Sequence, residues 1–376
     1  MSLLTLKTRR SAFGTSDCQQ IFFLHPGYPD GHDLLLSLPA FDSRGIHHET
    51  ARIACAILAN SRWDGFLSLT RDGEAVPDAR DDVLVNTRYY FRIPDDDQYP
   101  VVPSYENFRC PTTLPESWAA ESPHIEPTAT DDVGRRDQTC RATASTLANE
   151  VAHIIPQALS EWWQRNSMFT YTANPDLSSD MRCADNAILL RRDLHKLWDD
   201  HRFAFVPKQG KWVLHALWRS PSNELETEYH NLELQPLYGV ATHFLFCRFA
   251  LAILSKSVFL SQSVERRLVT LDGDDRPLVQ SMSSNEYRKL ISTARRANSR
   301  SQSPKKRARS AQGTDETEID EAELDWSASS AQYEQRGRRR RRIWSPDASP
   351  GREEAKFIND IQRSLDTPPR STSPLL

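Results

Sequence analysis

A chain of 376 residues with 38% hydrophobic side chains and a mean hydropathy of -0.61 is long enough for two domains but too polar for one fully packed body, so part of it is expected to stay unfolded. Its 47 Lys and Arg stand against 51 Asp and Glu, a net charge of -4 that names no partner by itself. Six scattered cysteines without a CxxC pair argue against a disulfide framework and a four-cysteine structural zinc site, and favour a reducing compartment.

Residues 1–13 carry Lys7, Arg9 and Arg10 but no apolar stretch of signal-peptide length, so the expectation is an intracellular protein. Residues 20–24 and 34–38 are strand-like, and over residues 46–60 the side chains of Ile46, Ile53, Ile57 and Leu58 share a helical face. A strand at 66–70, an Arg71-Asp72-Gly73 turn and an aromatic, β-branched run at 83–93 come next. The Pro-rich passage 99–115 is expected to be ordered loop, packed through Tyr105, Phe108 and Trp118. His47, His48 and Glu49 are potential ligands, yet adjacent residues on a helix diverge, so a surface or capping cluster is expected there. Residues 1–115 read as an N-terminal α+β domain without an assignable chemistry, and 116–137, with Pro123, Pro127 and Asp131-Asp132, as a polar linker.

The densest chemistry lies between residues 140 and 205. Residues 150–155 form a short β-prone run that Pro156 ends, because proline cannot donate to a ladder, and this places His153 at a strand end. Residues 187–190 are a second apolar run preceded by Asn186, and Asp193 is a plausible N-cap for the segment after it. In that segment Leu194, Leu197 and Trp198 share one helical face, while His195 and Asp199, four apart, project together from another. An imidazole and a carboxylate so spaced can grip one cation. The order is strand, long loop, strand, helix.

On these residues the chain resembles the HNH (ββα-metal) endonucleases: His153, Asn186 and His195 match the H, N and H of that motif in order and spacing, and Asp199 falls where several members carry a further metal ligand. The opening Cys140-Arg141-Ala142-Thr143 and the exit Phe203-Ala204-Phe205-Val206-Pro207 look like the form of the domain common among fungal proteins, in which a domain such as residues 1–115 also precedes the motif. The resemblance implies an α+β chain with a ββα-metal nuclease domain at 138–260. It implies His153 as the general base toward water, Asn186 holding the loop or the imidazole, and His195 with Asp199 binding a divalent ion, Mg2+, Mn2+ or Zn2+, that polarises the scissile phosphate. The substrate implied is nucleic acid, DNA in the first place with RNA left open. Many members place an Asp or His ligand immediately before the base, where this chain has Ala152. The reading kept beside this one is a degenerate HNH module that binds nucleic acid or a protein in the nucleus without cutting. Asp185 and His201 are spare candidates, read first as turn or surface residues.

Beyond the motif, 202–206 and 211–217 flank a Lys208-Gln209-Gly210 turn and read as a hairpin closing over the preceding helix. Residues 241–258 read as a mostly apolar, buried helix. The apolar run 244–254 within it is interrupted by Arg248 and too short to span a bilayer, so no membrane is expected. Trp162, Trp163, Phe169 and Tyr171 lie in the long loop between the two strands, where packing is favoured over stacking on bases. Residues 261–296 are expected to be a partly ordered extension and 297–376 a disordered charged tail, since few apolar residues remain there to offset backbone entropy. Two basic blocks in the tail, 305–309 and 336–342, have the composition of nuclear import signals or phosphate-binding arms, so nuclear localisation is expected.

Overall fold

The structure is a computed structural model that describes residues 19–77, 79–119, 133–173, 181–220, 223–256, 258–261, 264–287 and 289. Residues 1–13 and the tail expectations for 297–376 lie outside the described residues. The chain divides into two units, Met1–Arg288 and Lys289–Leu376, and the helices and strands named below belong to the first.

The first layer of that unit is a sheet of four strands: β1 (Gln20–Leu24), β2 (Leu34–Pro39), β4 (Phe66–Ser68) and β6 (Arg88–Arg92), ordered β2-β1-β6-β4. β1 runs antiparallel to β2 and parallel to β6. Helix α1 (His48–Leu58) lies against β2 and is buried along its whole length. The expected helix at 46–60 therefore begins two residues late, because Ile46 belongs to the two-residue strand β3 (Ile46–His47), paired with β5 (Val83–Leu84). His47 supplies the reason: its backbone N–H is held by the Asp42 carboxylate, and its side chain caps the helix by accepting from Thr50 N. The 47–49 cluster is thus a cap, but a buried one, with Glu49 tied to Arg52. The run at 83–93 splits into β5 and β6, with Tyr89 Oη accepting from Asn86 N in the break.

The chain continues through α2 (Val133–Asp137), β7 (Asn149–His153), α3 (Ser160–Arg165), β8 (Ala187–Arg191) and α4 (Arg192–Asp199). It then forms β9 (Phe203–Lys208) and β10 (Lys211–Ala216), joined to β11 (Leu232–Glu233) in the order β11-β10-β9. Pro207 is accommodated because β9 is an edge strand. Helix α5 (Thr242–Leu254) is apolar almost all round and packs on β9 and α1, as a helix without a polar face must. The hairpin β12 (Arg266–Leu271) and β13 (Pro277–Met282) completes the described part, with Val101 bridging to Leu268.

Elements from both sides of residues 116–137 share one core. Trp118 stacks on Phe249 of α5 and meets Trp212 of β10 edge-on. Tyr105 and Phe108 are buried, Phe108 stacked on Trp162 and Tyr105 tilted against it, and Trp162 Nε1 donates to the Phe108 carbonyl. Trp162 and Trp163 therefore sit on α3 as packing groups, in a helix where the sequence suggested loop. Cys55, Cys110, Cys140 and Cys247 are free thiols, and among the described residues no helix is long and apolar enough to cross a membrane.

Candidate functional site

β7 and β8 pair antiparallel with His153 opposite Ala187, and α4 follows β8 directly. β8 is buried at Ala187 to Leu190, whereas β7 is half open, so the pair offers one packed face and one accessible edge. Beyond the ladder the chain would splay, and Asn186 prevents it. Its backbone carbonyl accepts from Ile154 N, its Oδ1 accepts from Ile155 N at 2.8 Å, and its Nδ2 donates to the carbonyls of Ile155 and Met181. With no exposed surface, this carboxamide makes a closed set of bonds that fixes the backbone just after His153. Asn186 thus holds the loop and leaves the imidazole alone. The His153 ring is partly exposed, and Gln157 Nε2 lies 3.3 Å from its Nε2. An amide nitrogen donates, so His153 Nε2 is the nitrogen that carries the basic lone pair.

Helix α4 begins at Arg192, with Arg191 in the capping position and no side-chain cap. Asp193 lies inside the first turn, where it pairs with Arg191 and accepts from Leu194 N. The expected N-cap role is therefore not what it does, because the guanidinium of Arg191, anchored also on Tyr229 Oη, draws its carboxylate away. Leu194 and Trp198 are buried, and Leu197 is only partly so. From the open side project His195 and Asp199, with Nε2 and Oδ1 3.8 Å apart. An ion held about 2.1 Å from each of two ligand atoms keeps those atoms roughly 3–4 Å apart, so this pair has the bite for one divalent cation.

Two further residues shape the site and were not picked out from the sequence. Glu150 of β7 reaches His195, with Oε2 3.1 Å from Nδ1, while its Oε1 pairs with Arg192. Arg248 of α5 donates to the carbonyls of Trp198 and Ile154 and lies over the Trp198 ring, and Trp198 Nε1 donates to the His153 carbonyl at 3.0 Å. The strand end and the helix are thereby joined through Trp198. Glu150 carried no signal beyond its place three residues before His153. Arg248 did carry one, a cation inside an apolar helix, but nothing said which carbonyls it would meet.

The spare candidates both lie in turns. His201 takes a left-handed φ of 55° in the turn after α4, and burial, with Arg248 and Arg202 nearby, pulls its imidazole down to about 3. Asp185 sits in a single 3-10 turn (Ala184–Asn186), its carboxyl pushed up by burial.

A second cluster brings Asp42, His215 and His230 together, with ligand atoms within 4.8 Å of one another. Proton accounting counts against a metal there. Asp42 Oδ1 already accepts from Lys208 Nζ, Asn231 Nδ2 and His230 Nε2, and Oδ2 accepts from His47 N. His230 Nδ1 accepts from Ala216 N, so in the neutral ring Nε2 holds the proton and offers no lone pair. The Lys208 ammonium already fills the cationic place. Burial acts to raise the Asp42 carboxyl, but the His230 hydrogen bond and the Lys208 charge outweigh it and hold the carboxyl far below its usual range.

Residues 136–206 match the family model of the HNH endonucleases (HNH_2). No curated protein and no solved structure matches the chain. The matched segment contains His153, Asn186, His195, Asp199 and Glu150, and ends before Arg248.

Proposed function

We propose, from the HNH endonuclease domain at residues 136–206, that this protein hydrolyses phosphodiester bonds in nucleic acid, DNA in the first place, with a divalent cation at His195 and Asp199. The observation that carries this reading is the 3.8 Å approach of His195 Nε2 to Asp199 Oδ1, on a helix docked against the strand that ends in His153. A divalent ion bound there would neutralise charge gathering on the scissile phosphate and the departing 3′ oxygen. With the attacking water in place of the Gln157 amide, His153 takes the water proton on Nε2 as the water oxygen bonds to phosphorus and the bond to the 3′ oxygen breaks. Asn186 keeps that imidazole on station by fixing the backbone of Ile154 and Ile155. His195 and Asp199 are the ligands, and Trp198 ties their helix to the base. Mg2+, Mn2+ and Zn2+ all suit a donor set of one imidazole and one carboxylate completed by water and phosphate oxygens.

A second reading has its own observation. Ala152 is fully buried where many HNH proteins carry a ligand, so the side chain before the base contributes nothing to the ion. A module that binds nucleic acid without cutting it, delivered to the nucleus by the basic blocks at 305–309 and 336–342, is the alternative. A plasmid-nicking assay with Mg2+ or Mn2+ separates the two. Nicking that falls by roughly 10²- to 10⁴-fold in His153→Ala, with binding in a gel-shift assay retained, supports the nuclease. Equal rates in wild type and variant would remove His153 from the chemistry.

A further inference from the structure

The proton on His195 can be placed from its neighbours. Glu150 is a strand residue on the same face of β7 as Ala152, since side chains two apart along a strand point the same way. Its Oε2 lies 3.1 Å from His195 Nδ1. A carboxylate only accepts hydrogen bonds, so the hydrogen between them belongs to Nδ1. In the neutral ring this leaves Nε2 bare, 3.8 Å from the equally acceptor-only Asp199 Oδ1. Two lone-pair-bearing atoms facing each other call for a cation between them. The far oxygen of Glu150 is held in turn by Arg192, with Nε 2.9 Å from Oε1, which fixes the rotamer that reaches the ring.

We propose that Glu150 is a positioning residue of the metal site, holding His195 as the Nδ1–H tautomer so that Nε2 is presented as a ligand beside Asp199. This rests on the reading of His195 as a metal ligand. It also explains how a site that lacks a ligand at Ala152 keeps a directed donor: the strand that gives up one contact to the ion supplies an orienting carboxylate two residues earlier. Carboxylates that orient a ligating imidazole typically change metal affinity by about 10- to 100-fold when removed.

The test uses the full chain with 15N-labelled histidine at pH 8, where the imidazole nitrogen shifts report the tautomer, together with calorimetric titration of Mn2+. The expected result is Nδ1–H at His195 in the wild type, a shift toward Nε2–H in Glu150→Ala, and Mn2+ affinity about 10- to 100-fold weaker in that variant. Glu150→Gln, whose amide oxygen still accepts from Nδ1–H, should keep the tautomer and most of the affinity. A change in packing alone would weaken both variants and leave the tautomer as it was. Wild-type Nε2–H, both nitrogens protonated, or Glu150→Ala with unchanged tautomer and affinity would overturn the role of Glu150, while metal binding that still depends on His195 would leave the nuclease reading standing. Mn2+ binding indifferent to His195→Ala would overturn both.

Discussion

The guanidinium carbon of Arg248 lies 4.4 Å above the ring of Trp198, and the same guanidinium donates to the Trp198 carbonyl. A fully buried cation is costly to desolvate, and burial lowers this one to about 10 even with the Asp199 carboxylate opposing. It nonetheless stays charged at neutral pH, compensated by the aromatic face and the carbonyls of Trp198 and Ile154. Helix α5, outside the family segment, thus supports both halves of the site.

Arg248→Ala should lower stability by about 2–4 kcal/mol, from the cavity left under Trp198 and the lost charge-assisted bonds. The drop is expected in urea denaturation. Mn2+ affinity should fall with it, since Asp199 stands at the end of the helix that Arg248 secures. A variant as stable as wild type would show that the buried cation is dispensable.

Asn186→Ala strips the partners from the buried N–H and C=O of Ile155, each costing about 1–3 kcal/mol when left unsatisfied. Denaturant midpoints should fall accordingly. The nicking rate should fall too, under conditions where the variant is still folded, because the backbone after His153 is released.

Acid sensitivity should set in well above the carboxylate range. His25 is buried, its Nε2 donating to the Tyr99 carbonyl and its Nδ1 accepting from Gly27 N, so only the neutral ring fits. Burial, with Arg266, Arg71 and Arg267 adding to it and the Tyr99 bond opposing, pulls this imidazole down to about 3. The unfolded chain protonates it near 6.5, so between those values the unfolded state binds the extra proton, and stability falls by about 1.4 kcal/mol for each pH unit lost. From pH 6.5 to 5 this amounts to roughly 2 kcal/mol from His25. Urea midpoints at the two pH values should show it, and His25→Gln should shrink the difference.

Ala152→Asp should destabilise the fold by several kcal/mol, because a carboxylate at a fully buried position loses its hydration. Ala152 shares the face of β7 from which Glu150 meets α4, so a longer side chain has to push between strand and helix. Calorimetry should show no gain in Mn2+ affinity. Tightened binding would mean that the position opens toward the ion.

The order strand, loop, strand, helix was legible because each signal was local: Pro156 ending a ladder, Ala187 to Leu190 as a buried run, Leu194 and Trp198 on one face with His195 and Asp199 four apart on another. The strands at 20–24 and 34–38 and the helix of α5 were readable for the same reason. Local pattern failed where a distant partner overrode it. The helix at 46 starts late because Asp42 holds His47, and Asp193 leaves the cap because Arg191 claims it. The contacts that shape the two clusters are remote in sequence: Glu150 to His195 across 45 residues and Arg248 to Trp198 across 50 at the candidate site, and Lys208 to Asp42 across 166 at the second cluster. Periodicity fixes which residues share a face, but which faces meet depends on docking of elements far apart in the chain. Only the folded core, by closing those loops, decided that a carboxylate would orient His195 and that Lys208 would stand where the Asp42 cluster could have held a metal.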